Sequence, residues 1–295
     1  MCVADQGRAD GWADQGRGRF RRRRLSGNDG RMPSTLPPQA AGRKLVFLHL
    51  PKTGGTSLHH HFAAHFAPEE ICPERFSRLH RYSPEELDRY RFFSGHFNFD
   101  QVRTIPGRLF IVTVLRDPTE RLLSSYYFWK RHTADAIARR KLEGPAIARS
   151  GSMIDFLHNT HHEVQDSINN TMTRYLAGQV NVQADLTYRY SAGGPGVPVS
   201  ELEVLHRAIG NLLSMDVIGF AGNLHEAYTR VALAFGMPRV AEIARLNTRR
   251  DTHPDLEPAQ EEELSRETRA EIDRLTQLDR TIYRLARAHL RQFPR

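Results

Sequence analysis

Cysteine is nearly absent from this chain: Cys2 and Cys72 are the only two in 295 residues. So few thiols, one of them at the N-terminus, exclude a disulfide framework and a cysteine-held zinc site. Long apolar runs are missing as well. No stretch approaches the ~18 apolar residues that cross a bilayer, and the N-terminus has no apolar leader core. An integral membrane segment is therefore not expected, and the cytoplasm is the expected location. Acidic residues number 34 against 42 basic ones, a formal charge of +8. Arg17, Arg19 and Arg21–Arg24 supply six of those positive charges within eight residues. Outside that run the chain is only mildly basic, so total charge does not point to nucleic acid.

Residues 1–42 are rich in Gly, Arg, Asp, Gln and Pro and show no helical or strand period, and they read as a disordered tail. Met32, just before Pro33, is placed as an alternative start. Residues 43–295 suit one large α/β domain.

The stretch from Lys44 to Leu58 organises the rest. Residues 44–50 are branched aliphatics and β-formers without polar alternation, as in a parallel strand buried on both faces. Pro51 and Gly54-Gly55 punctuate the run, and Thr56 and Ser57 are good N-cap types for a helix carrying Leu58, Phe62 and Phe66. Strand, glycine loop and helix together make a phosphate-type site, because backbone N–H groups and the helix N-terminus approach an anion closely. Lys52 and the hydroxyls of Thr53, Thr56 and Ser57 are placed to join in. The lysine precedes the glycines, so this is not a Walker A loop. An ordinary strand-to-helix turn is the bland alternative.

Further along, Ser83-Pro84 with Glu86 reads as a capped helix start, and residues 91–97 as a short strand ending at Gly95-His96. Residues 108–115 form the strongest strand and run directly into Asp117-Pro118, where Asp117 suits N-cap and Glu120 can return the bond. Residues 132–151 read as a helix end and a loop about Gly144-Pro145, and 193–198 as a loop. Helices are expected over 200–213 and 223–235, with a strand at 216–220 between them. A single final helix is expected from near Ser265.

Two strands, each followed at once by a helix, put two loops at strand carboxyl ends, where open α/β sheets bind ligands. Arg116 ends the second strand, and Arg121 and Ser124 share a face of the helix after it, so the three can clasp a second anion. The bland readings are an ion pair for Arg121 and a packed hydroxyl for Ser124.

Taken as a pair, Pro51-Lys-Thr-Gly-Gly-Thr-Ser57 and Leu115-Arg-Asp-Pro-Thr-Glu-Arg-Leu-Leu-Ser-Ser-Tyr126 resemble the 5′-phosphosulfate and 3′-phosphate motifs of sulfotransferases that use 3′-phosphoadenylyl sulfate (PAPS). The likeness is nearest to carbohydrate sulfotransferases of the heparan sulfate 2-O-sulfotransferase type and their bacterial relatives, over roughly residues 44 to 290. It implies a P-loop-like three-layer α/β fold with a mainly parallel sheet, PAPS as co-substrate, and a carbohydrate hydroxyl as acceptor. Lys52, Thr53, Gly54, Gly55, Thr56, Ser57, Arg116 and Ser124 would bind PAPS, with Asn247 and Thr248 as nucleotide-loop residues. Segments such as Val217–Phe220 and Asp279–Tyr283 would close the fold over the nucleotide. His96, in Ser94-Gly-His96, matches the family's proposed base, with Glu74 or Glu163 as outside candidates.

In-line transfer needs a cation and N–H donors at the leaving oxygen, which Lys52 and the loop supply, and a base such as a neutral imidazole. No metal is expected, because a sulfonate carries less charge than a phosphoryl group. His59, His60, His61 and His65 lack an accompanying carboxylate, and His49 reads as a satisfied core histidine. Arg78, Arg81, Arg139, Arg140, Lys141 and Arg174 are candidates for an acidic-glycan groove or plain surface. A nucleotide kinase would want the lysine after the glycines and a Mg²⁺-holding aspartate. A catalytically silent polyanion-binding module would need the cations but not His96.

Overall fold

The computed structural model describes residues 40–191, 194–244 and 253–292, the last three by backbone alone. Asn247 and Thr248 lie outside the described residues. In chain order the elements begin β1 (Lys44–Leu48), α1 (Gly55–Ala63), α2 (Pro84–Asp88), β2 (Phe92–Gly95), α3 (Phe99–Val102), β3 (Leu109–Leu115) and α4 (Pro118–Lys130). Five helices follow: α5 (Ala134–Arg140), α6 (Glu143–Ser150), α7 (Met153–His158), α8 (His162–Ile168) and α9 (Thr171–Ala177). Next come β4 (Val180–Val182), β5 (Tyr188–Tyr190), β6 (Val197–Val199), α10 (Glu201–Leu213), β7 (Val217–Phe220) and α11 (Leu224–Phe235). The chain closes with α12 (Arg266–Leu275) and α13 (Gln277–Gln292).

The expected three-layer α/β architecture is present. Four strands form a parallel sheet in the order β2-β1-β3-β7. Each strand is apolar on both faces because both faces are covered. Leu45, Phe47, Val112 and Val114 pack on Leu58 and Phe62 of α1 and Tyr228 and Val231 of α11. Val46, Leu48, Leu115 and Ile218 pack oppositely, with Met172 and Leu176 of α9, Val204 of α10 and Ile282 of α13. Each of these buried side chains stabilises the fold by roughly 1.5–3 kcal/mol relative to exposure. From β1 the chain passes to β2 on one side and then crosses to β3 on the other. That reversal makes the carboxyl ends of β1 and β3 the topological switch point of the sheet.

Local signals held where a side chain caps its own helix. Ser83 completes the expected capping box with Glu86, and the start of α7 has another between Ser152 and Asp155. Asp117 accepts from the Glu120 N–H, but Glu120 turns to Arg116 rather than back to the cap. Differences appear where distant residues decide. Residues 40–42, assigned to the tail from composition, form a turn in which Ala40 is buried and its N–H donates to Ala234 O at 3.0 Å. Residues 132–151 hold two helices, and Pro145 is accommodated in the first turn of α6, where it removes no intrahelical bond. Gly144 is needed there because a Cβ would meet Trp129 at 2.5 Å. β6, on the expected loop, tolerates Pro198 because it is the edge of a second sheet, β4-β5-β6, which the short runs did not announce.

The final helix is broken at Thr276 by a long-range exchange of caps. Asn170 Oδ1 accepts from the N–H groups of Leu278 and Asp279. Asp279 in turn accepts from Thr173 N–H and Oγ1, each at 2.7 Å, at the start of α9. Fully buried Arg121 lies 4.0 Å from Asp279 and donates to Ser167 O. Asp279→Ala would strip the start of α9 of its cap and leave a buried cation unpaired. A loss of ~3–5 kcal/mol is expected, read as a lower urea midpoint with unchanged slope.

Candidate anion-binding and transfer site

The loop from His49 to Gly54 leaves β1 at the switch point. Lys52 and Gly54 both take left-handed backbone conformations, with φ of 67° and 87°. The first is uncommon for a residue with a Cβ and marks local strain. Gly54 occupies the N-cap position of α1 and no side chain caps the helix, so α1 starts two residues before Ser57. Thr56 and Ser57 therefore sit in its first turn rather than capping it. Gly54 brings no side chain to cap the first turn of α1, and a helix N-terminus of this kind is suited to an anion. Thr53 is fully buried and its hydroxyl donates to Leu50 O at 2.9 Å, bracing the loop. A Cβ on Gly55 would meet His49 Cδ2 at 2.1 Å, so only glycine lets α1 approach this close.

Arg116, at the end of β3, reaches across the switch point: its Nη1 donates to Lys52 O at 3.3 Å. Its Nε faces Glu120 at 3.3 Å, a half-exposed pair of little energetic weight. The Lys52 ammonium lies 3.8 Å from the centroid of the Phe128 ring. Phe128 is one helical turn beyond Ser124, so α4 turns that face toward the loop. The i,i+4 spacing was legible in the sequence, but nothing there singled out Phe128. Ser124 is half-buried, and its hydroxyl has no hydrogen bond among the described residues.

His96 follows β2, on the other side of β1. Its Nδ1 lies 2.7 Å from His49 O, and a carbonyl can only accept, so Nδ1 carries the proton and Nε2 is the basic nitrogen. The His49 and His96 rings are 4.4 Å apart. Burial, opposed in part by that hydrogen bond, and the nearby Arg75 and Lys52 lower the His96 pKa to about 4. Burial, with the neighbouring His96, Arg75, His59 and Lys52, lowers the His49 pKa well below the usual range. His49 is thus a buried, neutral core histidine as expected, just after β1, with its ring against that of His96.

Other candidates lie elsewhere. Arg121 does not share a site with Arg116 and Ser124: it is fully buried against Ser167 and Asp279, because that face of α4 meets α8 and α13. Glu163 accepts from Gly144 N–H and ties α8 to α6. Glu74 is buried, accepts from Phe76 N–H at 2.7 Å and pairs with Arg78. Arg139 and Arg140 pair with Asp255, and Arg174 is buried against Asp166, so three of the proposed groove residues serve the fold. His65 meets the Tyr228 hydroxyl at 3.0 Å. Among the described residues no group of three or more His, Cys, Asp or Glu is placed to hold a metal ion, and no helix is long and apolar enough to cross a membrane.

A three-layer α/β sheet with a glycine cradle and two basic loops meeting at its switch point is the architecture of proteins that handle phosphate-like anions. A family model described as "Sulfotransferase family" matches residues 40–190, just over half the chain and both loops, and the chain belongs to that family. A protein-tyrosine sulfotransferase of Arabidopsis thaliana is 33% identical over 111 residues, 37% of this chain and 21% of that protein. The match thus spans about a fifth of that relative's length.

Proposed function

We propose that this protein transfers the sulfuryl group of PAPS to a hydroxyl of a carbohydrate, as part of a polysaccharide or glycoconjugate. The observation that carries the reading is the Arg116 to Lys52 bridge at 3.3 Å, which joins the two basic motifs in one crevice. The site suits the donor chemically: the N-terminus of α1, whose N-cap Gly54 has no side chain, and Lys52 for the phosphosulfate, Arg116 and Ser124 for a 3′-phosphate. PAPS, when bound, supplies an activated sulfuryl group and leaves as adenosine 3′,5′-bisphosphate.

The chain's own part is small. Lys52 and the first-turn amides of α1 stabilise negative charge developing on the leaving oxygen. His96 Nε2 takes the proton of the attacking hydroxyl, while its Nδ1–H stays on His49 O and keeps the ring oriented. Strand order supports one direction of transfer, from the donor cations toward His96. Arg116 over β3, Lys52 over β1 and His96 beside β2 lie in sequence along one sheet edge.

A protein tyrosine is the second reading for the acceptor, favoured by the likeness to the Arabidopsis protein-tyrosine sulfotransferase. The test is labelled PAPS with a panel of polysaccharides, small alcohols and tyrosine peptides. Label on a saccharide is the expected result, and label on tyrosine peptides alone would move the assignment to the second reading. Binding of adenosine 3′,5′-bisphosphate with no transfer to any acceptor would leave a silent anion-binding module.

A further inference from the structure

We propose that Arg75 is the specificity-determining residue of the acceptor side, its guanidinium taking a carboxylate or sulfate ester carried by the acceptor near the reacting hydroxyl. The inference rests on the reading of His96 as base. Its first support is position. Ile71 bridges Phe92 in parallel, and Cys72 N–H donates to Phe92 O at 2.9 Å, so the chain runs alongside β2 on the side away from β1. It then crosses the carboxyl end of β2, where Arg75 O accepts from His96 N–H at 2.8 Å. The approach is close enough to demand glycine below it, since a Cβ on Gly95 would meet Arg75 O at 2.5 Å.

The second support is charge. Arg43, Arg140 and Arg174 have carboxylates at 2.8, 3.0 and 3.1 Å. Arg75, half-buried, has none within ion-pair distance among the described residues. The adjacent Glu74 is turned to Phe76 N–H and Arg78 instead. The partner of the guanidinium is the His59 ring, 2.7 Å from Nη1 to Nδ1. Burial, with Arg75 itself, lowers the His59 pKa to about 2, so that partner is neutral and holds the guanidinium without cancelling its charge. A desolvated cation without a counter-charge is costly to keep, and a site that keeps one is poised for an anion from outside the chain.

That anion could belong to the donor's sulfonate or to the acceptor. Strand order favours the acceptor: Arg75 flanks β2, while the donor-binding cations lie over β1 and β3 on the opposite side of His96. A consequence follows for the base. The titratable groups acting on His96 are the cations Arg75 and Lys52, and those on His49 are the same two cations with the His96 and His59 rings; there is no carboxylate among them. An acceptor anion on Arg75 cancels one of these positive charges, so the acceptor that binds correctly also strengthens the base that deprotonates it.

A uronate-containing oligosaccharide and the same oligosaccharide with its carboxyls reduced to alcohols test this. With full-length protein, the ratio of their kcat/KM values should collapse by about 30-fold or more in Arg75→Gln, and Arg75→Lys should recover part of it. Histidine NMR should show the His96 pKa rising when wild type loaded with adenosine 3′,5′-bisphosphate receives the uronate, and not the reduced sugar. Should neither sugar accept label, calorimetric binding of the uronate to bisphosphate-loaded protein, lost in Arg75→Gln, still supports the proposal. An equal fall for both sugars, or uronate binding unchanged in Arg75→Gln, overturns it. Weaker PAPS binding with unchanged bisphosphate binding in that variant would also overturn it, by assigning Arg75 to the donor's sulfonate.

Discussion

His96→Ala is expected to lower kcat by about 10²–10⁴-fold while binding adenosine 3′,5′-bisphosphate as wild type does. The two readouts separate because His96 follows β2, whereas the loops that would hold the nucleotide follow β1 and β3. The pH dependence carries a signature of its own. A base works in its neutral form, and the folded-state pKa of about 4 keeps His96 neutral through the physiological range. The acid limb of kcat/KM, which reports the free enzyme, should therefore fall near pH 4 rather than near the ~6.5 of an unperturbed histidine. Stability moves over a different window. Because the folded pKa lies below the unfolded one, the unfolded chain binds the proton first as pH falls. The contribution of His96 to stability is complete above ~6.5 and is lost progressively between there and about 4. Urea unfolding at each pH distinguishes that loss from loss of chemistry. A variant with near wild-type turnover would remove His96 as base and return Glu74, buried beside Arg75, to consideration.

The placement of the two loops was legible in the sequence because its signals are local. An apolar run covered on both faces, a glycine pair and a cap-plus-proline signal need no knowledge of distant residues, and β1, β3 and the start of α4 lie within a residue or two of expectation. The errors share one cause, which is partners far along the chain. Arg121 was paired with Ser124 from helical spacing alone, but Asp279 and Ser167, 158 and 46 residues further on, draw it inward. The break at Thr276 depends on Asn170, more than a hundred residues earlier. Arg75 had no signal at all. It sits in a polar stretch between a helix and a short strand, and only the pairing of residues 71 and 72 with Phe92 brings it to His96. Arg139, Arg140 and Arg174 erred in the other direction, since composition cannot tell a groove cation from one already matched by Asp255 or Asp166.

Lys52→Ala and Arg116→Ala should fail in different ways, and the difference tests the division of labour between the loops. On the proposed reading Lys52 would face the oxygen whose charge grows during transfer, so its loss should fall mainly on kcat, by about 10²–10³-fold as for other removed charge-stabilising donors. Phe128 holds the ammonium by its ring face, 3.8 Å from the centroid, an attraction of ~0.5–2 kcal/mol that leaves the positive charge on the lysine. Arg116 would meet a phosphate whose charge is the same before and during the reaction, so its loss is one of uniform binding. Calorimetry should show bisphosphate affinity reduced by ~1.5–3 kcal/mol, the worth of hydrogen bonds to a charged group, with kcat at saturating donor less affected. Because the side chain is 28% exposed, the loss should shrink as salt is raised. Arg116 also donates to the Lys52 carbonyl, so the two changes should not add: removing Arg116 loosens the loop that aims Lys52. Unchanged bisphosphate affinity in both variants would mean that the anion is held elsewhere. A nucleotide kinase would answer the same experiment differently, with affinity set by ATP and Mg²⁺; here the order to expect is adenosine 3′,5′-bisphosphate above ATP, because on the proposed reading the cation after β3 would meet a 3′-phosphate that ATP lacks.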